Sequence, residues 1–351
     1  MNKAYLLFGV MVLMVLAISG ASTGLAANTA ITAETAELVG AGATFPAPLY
    51  QRWIREFAQV SGGFPIFYDA VGSGEGIDRF ISGNVDFGAS DAAMTDAQMQ
   101  RVERGVKLIP ATAGIIVMAY NLPGVESLHL SREVYSDIFL GNIRTWQDAR
   151  IQALNPGVQL PDLNIATITR SDSSGTTWAF TNHLNAISET WRTTGPGVGK
   201  KVDWPANAMS SRYNEGVAAR IKISQGSIGY VEYGIAKRSG LPMASLENRM
   251  GQYVRPSDAS GTVSLANTSG QMPSNLRLFI PDPDGKDTYP IVTYTWLLVY
   301  RSYTDPIKAE KIKRFIDWGL SEGQAFAPLY GYAPLPQPIA ALAKAALADV
   351  R

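Results

Sequence analysis

Ile165-Ala166-Thr167-Ile168-Thr169-Arg170-Ser171-Asp172-Ser173-Ser174-Gly175-Thr176 joins a strand-length apolar run, Ile165 to Arg170, to a turn of small polar residues. A helix-period segment, Thr177 to Leu184, follows it. Three other places share the design of a strand that ends in a small-residue turn and then opens a helix: Gly42-Ala43-Thr44-Phe45, Gly72-Ser73-Gly74-Glu75-Gly76 and Ala89-Ser90-Asp91. Strand-length runs alternate with helix-period segments through most of the chain, which argues for repeated βαβ units and a mostly parallel sheet. The predicted class is α/β.

The first helix is the clearest, with Leu49, Trp53, Ile54, Phe57 and Val60 at helical spacing and Pro46 and Pro48 suited to its first turn. Further strands are predicted at Ile66 to Val71, Val85 to Ala89, Gly114 to Tyr120, Ile228 to Tyr233 and Ile291 to Tyr300. Helices are predicted at Glu75 to Ile81, Asp96 to Arg104, Asn214 to Ile223, Pro306 to Leu320 and Ile339 to Ala348. Ser257 to Asn275, rich in Ser, Gly, Asn and Thr, reads as a long surface loop without chemistry.

Composition narrows the function. The 351 residues suggest two domains, and 30 basic residues against 30 acidic ones leave no formal charge, which disfavours a non-specific nucleic-acid or acidic-membrane binder. Any anion must be held by local groups. Cysteine is absent, which removes disulfides, thiolate nucleophiles and cysteine-ligated metals, and only His129 and His183 remain for a histidine site. Residues 1–26 carry Lys3, an apolar run from Ala4 to Ile18 and a small polar stretch to Ala26 or Ala27, the pattern of a secretory signal peptide. Its apolar run is shorter than the ~20 residues of a spanning helix. The mature chain reads as exported and soluble.

In an open α/β sheet the carboxyl ends of the strands line the ligand crevice, and helix N-termini there offer unpaired N–H groups and a partial positive charge. Together they make an oxyanion site without net charge. Taken singly, Gly42-Ala43-Thr44 also reads as a plain helix opening, and Ser73 or Ser174 as a plain N-cap. The glycines at 72, 74 and 76 are not spaced as GxGxxG, and no Walker lysine follows. The Arg170 to Thr176 run is sharper, because it concentrates a guanidinium, several hydroxyls and free N–H groups in one turn. Asp91 among such loops repels an anion unless the anion brings a proton; the other reading is an N-cap for a helix near Thr95.

These stretches, with Gly40-Ala41-Gly42-Ala43-Thr44-Phe45-Pro46-Ala47-Pro48, Val85 through Asp91, and Ile228-Gly229-Tyr230-Val231-Glu232-Tyr233, resemble the phosphate-binding proteins of high-affinity phosphate ABC uptake systems, in order and at comparable spacing over about residues 38–336. The resemblance implies a two-lobed periplasmic binding protein fold of type II kind, each lobe a mostly parallel sheet flanked by helices, with phosphate in the cleft. It implies a ligand shell of Thr44, Phe45, Ser73, Asp91, Arg170, Asp172, Ser174, Gly175 and Thr176. Thr44, Ser73, Ser174 and Thr176 are to give hydroxyl bonds; Phe45, Gly175 and Thr176 backbone N–H bonds; and Arg170 the cationic pair, oriented by Asp172. Three positions depart from the family, which commonly has Ser at Gly74, Gly at Glu75 and Gly at Ser173. Glu75 is expected to face solvent, and Ser173 to add a donor.

The implied function is non-catalytic capture of inorganic phosphate in the periplasm, by a monomer without cofactor or metal, for an inner-membrane ABC permease driven by a cytoplasmic ATPase. A secreted phosphoester hydrolase, with Ser73 or Ser174 as nucleophile and His183 nearby in sequence, is the alternative from another class. A binder of another tetrahedral oxyanion, sulfate or molybdate, is the third, and Asp91 opposes it. Crossover strands near Gly114 to Tyr120 and Gly226 to Tyr233 divide the mature chain into lobe I, residues 27–115 and 232–351, and lobe II, residues 116–231.

Overall fold

A computed structural model describes residues 36–60 and 62–351; residues 1–26, read from the sequence as a signal peptide, lie outside them. The chain opens with β1 (Leu38–Gly42), α1 (Ala47–Phe57), β2 (Ile66–Ala70), α2 (Ser73–Ile81), β3 (Phe87–Ser90) and α3 (Asp96–Gln100). The long β4 (Val106–Asn121) leads to β5 (His129–Leu130), α4 (Arg132–Leu140), α5 (Ala149–Leu154), β6 (Ala166–Arg170), α6 (Gly175–Ile187) and α7 (Glu189–Thr194). Then come β7 (Met209–Ser211), α8 (Tyr213–Ile223), β8 (Ser227–Glu232), α9 (Tyr233–Arg238), β9 (Ser245–Glu247) and β10 (Tyr253–Val254). The chain closes with α10 (Asp258–Ala266), β11 (Val292–Tyr300), α11 (Pro306–Leu320) and α12 (Gln337–Ala348).

Eight strands form one sheet in the order β2-β1-β3-β11-β4-β8-β6-β7, and β5, β9 and β10 form a small second sheet. Two parallel blocks, β2-β1-β3 and β8-β6-β7, flank a central antiparallel pair, β11 and β4. β4 serves both halves. It pairs with β11 from Val106 to Ile115 and with β8 from Ile116 to Asn121. Helices cover the faces: α1 buries Leu49, Tyr50, Trp53, Ile54 and Phe57 along one stripe, as its spacing requires.

β4 is longer than the predicted Gly114 to Tyr120 because Pro110, which argues against a central strand, is accommodated by a bulge. Thr295 faces Thr112 and Trp296 faces Pro110, which leaves Ala111 as the extra residue.

The predicted loop Ser257 to Asn275 is corrected over its first half, where α10 forms. Ser257 caps it, its Oγ accepting the Ser260 N–H at 3.0 Å. The small residues that suggested a loop serve close packing. A methyl at Gly261 would lie 3.2 Å from Ile115 of β4, and buried Ser264 donates to the Tyr289 carbonyl at 3.0 Å. Ser257→Ala is expected to lower unfolding free energy by about 1 kcal/mol. Urea denaturation checks it, and an unchanged midpoint would show that the cap contributes nothing.

Candidate anion-binding site

β1, β2 and β3 are parallel neighbours, with Gly42 level with Ala70 on one side and Ala89 on the other. Their carboxyl ends therefore lie side by side, which brings together the turns that carry Thr44, Ser73 and Asp91. Ser73 is the first residue of α2, and its Oγ accepts the Asp91 N–H at 3.2 Å. Phe45 is buried against Tyr332 at 5.8 Å between ring centres, and its carbonyl accepts the Tyr332 hydroxyl at 2.5 Å. This fixes the turn between β1 and α1.

The other half contributes Arg170, the last residue of β6, whose N–H donates to the Tyr230 hydroxyl at 3.0 Å. Asp172 grips the guanidinium as a fork, accepting from Nε at 2.8 Å and Nη2 at 2.5 Å, and also accepts the Tyr213 N–H at 2.9 Å. Ser174 is the N-cap of α6, with its Oγ accepting the Thr177 N–H at 3.0 Å. Ser174 is therefore an N-cap, and capping engages only its oxygen, which leaves its proton free of the cap. Gly175 and Thr176 open α6, where backbone N–H groups have no intrahelical acceptor.

The two halves meet. A methyl at Gly175 would lie 2.4 Å from Ser73 Oγ and 2.8 Å from Asp91 Oδ2, so α6 points its first turn at both. Arg170 Nη2 donates to Thr44 Oγ1 at 3.3 Å, and Nη1 makes a longer contact of 3.5 Å to Thr176 Oγ1. Gly74 N–H donates to the Ser173 carbonyl at 2.9 Å. A Cβ at Gly74 would stand 1.9 Å from Ser173 Oγ, so a side chain at 173 occupies the space that one at 74 would need. Glu75 is exposed and pairs with Arg79 at 2.8 Å.

Asp91 is buried, and it does not cap a helix: the cap of α3 is Thr95, which accepts the Gln98 N–H at 3.2 Å. Asp91 Oδ1 accepts the Thr295 hydroxyl at 2.9 Å. Burial pushes its pKa up to about 7, opposed by Thr295, the Arg170 charge and Ser73. Burial also pushes Asp172 upward, but the bonds and charge of Arg170 outweigh it and hold this carboxyl below its usual range. His183 lies in the core of α6, its Nε2 2.7 Å from the Tyr135 hydroxyl and its Nδ1 2.5 Å from the Pro281 carbonyl. Burial lowers its pKa to about 4. Both ring nitrogens are occupied by structural partners.

Two buried groups beside the cleft escaped the sequence reading. Asn214 opens the predicted helix Asn214 to Ile223 and passes there for an ordinary first-turn residue, yet its Nδ2 reaches Thr44 Oγ1 at 3.0 Å and Thr176 Oγ1 at 3.2 Å. Thr295 sits inside an apolar strand, where a buried hydroxyl needs a partner; that need was the available signal. The β4 bulge lies beside it.

A carboxyl whose folded pKa is raised favours the fold while protonated and opposes it once ionised. For Asp91 the opposition grows as pH rises from about 4, where the unfolded chain ionises, to about 7, and is complete above that. Without added anion, Asp91→Asn should therefore melt higher than the parent at pH 8, with the gap closing toward pH 4.5. A gap independent of pH would show that Asp91 is not so perturbed.

Over residues 27–322 the chain matches the family described as the PBP superfamily domain. It is 37% identical over 315 residues to the phosphate-binding protein PstS of Pasteurella multocida, covering 88% of this chain and 89% of that one. The PstS of Methanocaldococcus jannaschii is 35% identical over 324 residues, covering 85% and 82%. A solved high affinity periplasmic phosphate-binding protein, bound with phosphate, has the same fold with a TM-score of 0.73 at 20% identity, covering 88% of this chain and 93% of that one. For a phosphate-binding protein from Stenotrophomonas maltophilia the TM-score is 0.69 at 18% identity, with coverage of 88% and 93%. The architecture is thus the two-lobed α/β fold of periplasmic binding proteins, with a curled eight-stranded sheet. By sequence match along most of its length and by fold, the chain belongs to the PBP superfamily, in the family of the phosphate-binding proteins PstS.

Proposed function

We infer that the protein captures inorganic phosphate in the periplasm, without chemical turnover, and delivers it to an inner-membrane ABC permease with a cytoplasmic ATPase. The observation that carries this reading is Asp91, a buried carboxylate set among hydroxyl and N–H donors. Phosphate near neutral pH retains an O–H, so it can donate to a carboxylate while its other oxygens accept from the donors. Sulfate has no proton to give, and its approach leaves a buried acceptor unpaired beside a like charge. The relatives named as phosphate-binding proteins support the same ligand.

The proposed shell is Thr44, Phe45, Ser73, Asp91, Arg170, Ser174, Gly175 and Thr176, with Asp172 behind Arg170 as its orienting partner. Lobe I is proposed as residues 27–115 and 232–351, and lobe II as residues 116–231. The switch of β4 from β11 to β8 between Ile115 and Ile116, and the end of β8 at Glu232, support these limits. Thr44, Ser73 and Asp91 then belong to lobe I and the Arg170 to Thr176 turn to lobe II, so an anion bonded to both stabilises the closed arrangement. Residues 1–26 are proposed to direct export and to be removed. Among the described residues no helix is long and apolar enough to cross a membrane, and no three His, Asp or Glu side chains gather as a metal site. The occupied ring of His183 disfavours a serine hydrolase.

Isothermal titration of the parent and Asp91→Asn with phosphate and sulfate tests the reading. Asp91→Asn should keep phosphate binding and begin to bind sulfate at millimolar concentration; continued rejection of sulfate would assign selectivity elsewhere. Arg170→Lys cannot reproduce the planar fork held by Asp172, and loss of a buried charged pair by one partner typically costs ~2 to 5 kcal/mol. Phosphate affinity of that variant should fall at least ~30-fold. Parental affinity would show that Arg170 is structural only.

A further inference from the structure

The cleft hydroxyls share a feature that the shell alone does not explain: their oxygens already accept. Ser73 Oγ takes the Asp91 N–H and Ser174 Oγ the Thr177 N–H. Thr44 Oγ1 faces two donors, Asn214 Nδ2 at 3.0 Å and Arg170 Nη2 at 3.3 Å. Thr176 Oγ1 faces the same pair, at 3.2 Å from Asn214 and 3.5 Å from Arg170. A hydroxyl has one proton and two lone pairs, and neither a guanidinium nor an amide nitrogen accepts. The proton of each threonine is therefore turned away from both groups.

The amide of Asn214 has its orientation set from behind. Its Oδ1 accepts the Glu232 N–H at 3.1 Å, so exchanging its oxygen and nitrogen would set an NH₂ against an N–H and an oxygen against the threonines. Asn214 is fully buried, and both ends of its amide are matched. One side chain thus ties together the β1 turn through Thr44, the first turn of α6 through Thr176, and the last residue of β8 through its backbone.

We propose that Asn214 is a positioning residue for anion recognition, which sets the hydroxyls of Thr44 and Thr176 as donors in the closed cleft. The proposal rests on the phosphate reading and deepens it: the cleft then offers protons at the threonines and a carboxylate acceptor at Asp91, the pattern of an oxyanion with one protonated corner. Because Thr44 and Asn214 come from opposite lobes, their bond forms on closure. The donor pattern is thereby completed only as the lobes meet.

The test is phosphate titration of Asn214→Ala, Thr44→Val and the double variant, with melting of each protein in the absence of phosphate. Asn214→Ala is expected to bind phosphate at least ~10-fold more weakly while still melting cooperatively, because its threonine oxygens regain freedom to accept. The double variant should lose at least ~5-fold less than the product of the single losses, since both changes remove one device. Simple multiplication of the two losses, or an unchanged dissociation constant for Asn214→Ala, would overturn the proposal. If Asn214→Ala does not fold, Asn214→Asp takes its place: it keeps the acceptor for the Glu232 N–H but presents an oxygen to the threonines. It should bind at least ~10-fold more weakly than the parent, and parental affinity would likewise overturn the proposal. A parent that fails to bind phosphate would instead sink the functional reading on which the proposal stands.

Discussion

The cleft is governed by the commitment of its one buried guanidinium. Arg170 is held from behind by a bidentate carboxylate, and the pair is almost wholly buried, with side-chain exposures of 1% for Arg170 and 6% for Asp172. An unpaired cation there would be too poorly solvated, and a paired one has little charge left for a ligand. In the proposed site an anion exchanges its water for dipoles: the N-terminus of α6, the turns after β1 and β2, and hydroxyls whose oxygens are already engaged. This reconciles a protein of zero formal charge with an anion site. It also makes Asp91 the exception, a buried acceptor in a field of donors.

Such a shell works only if its members are held in place, and the structure places the supports in the strands at the centre of the sheet. β11 runs beside β3 and carries Thr295 to Asp91. The bulge opposite Thr295 accommodates Pro110 of β4, so one irregularity serves both the sheet and the site. Tyr213 has a φ of 65°, an unusual conformation for a bulky residue, and gives its N–H to Asp172 just before Asn214 enters the cleft. Strained backbone of this kind persists where surrounding bonds over-determine it, and here those bonds run from Tyr213 to Asp172 and from Asn214 to Thr44 and Thr176.

Glycine placement follows the same logic of close approach. Gly175 has no room for a side chain because Ser73 and Asp91 stand where its Cβ would be, and Gly74 leaves the space that Ser173 occupies. A serine in one half and a glycine in the other are complementary across the cleft.

By itself the sequence determined the α/β class, the strand-turn-helix units and the turns that carry Thr44, Ser73, Asp91 and Arg170 through Thr176, because periodicity, small-residue turns and cap residues are local properties of the chain. The meaning of Ser260, Gly261 and Ser264 as a packing face lay beyond it, since small polar residues in a loop and in a tightly packed helix have the same composition. Asn214 and Thr295 were beyond it for a related reason. A buried amide or hydroxyl takes its role from its partners, and those of Asn214 are 170 and 38 positions away while that of Thr295 is 204 away. Only the tertiary structure, by bringing the carboxyl ends of β1, β3 and β6 to one place, decided which hydroxyls, which carboxylate and which buried amide lie within reach of one another.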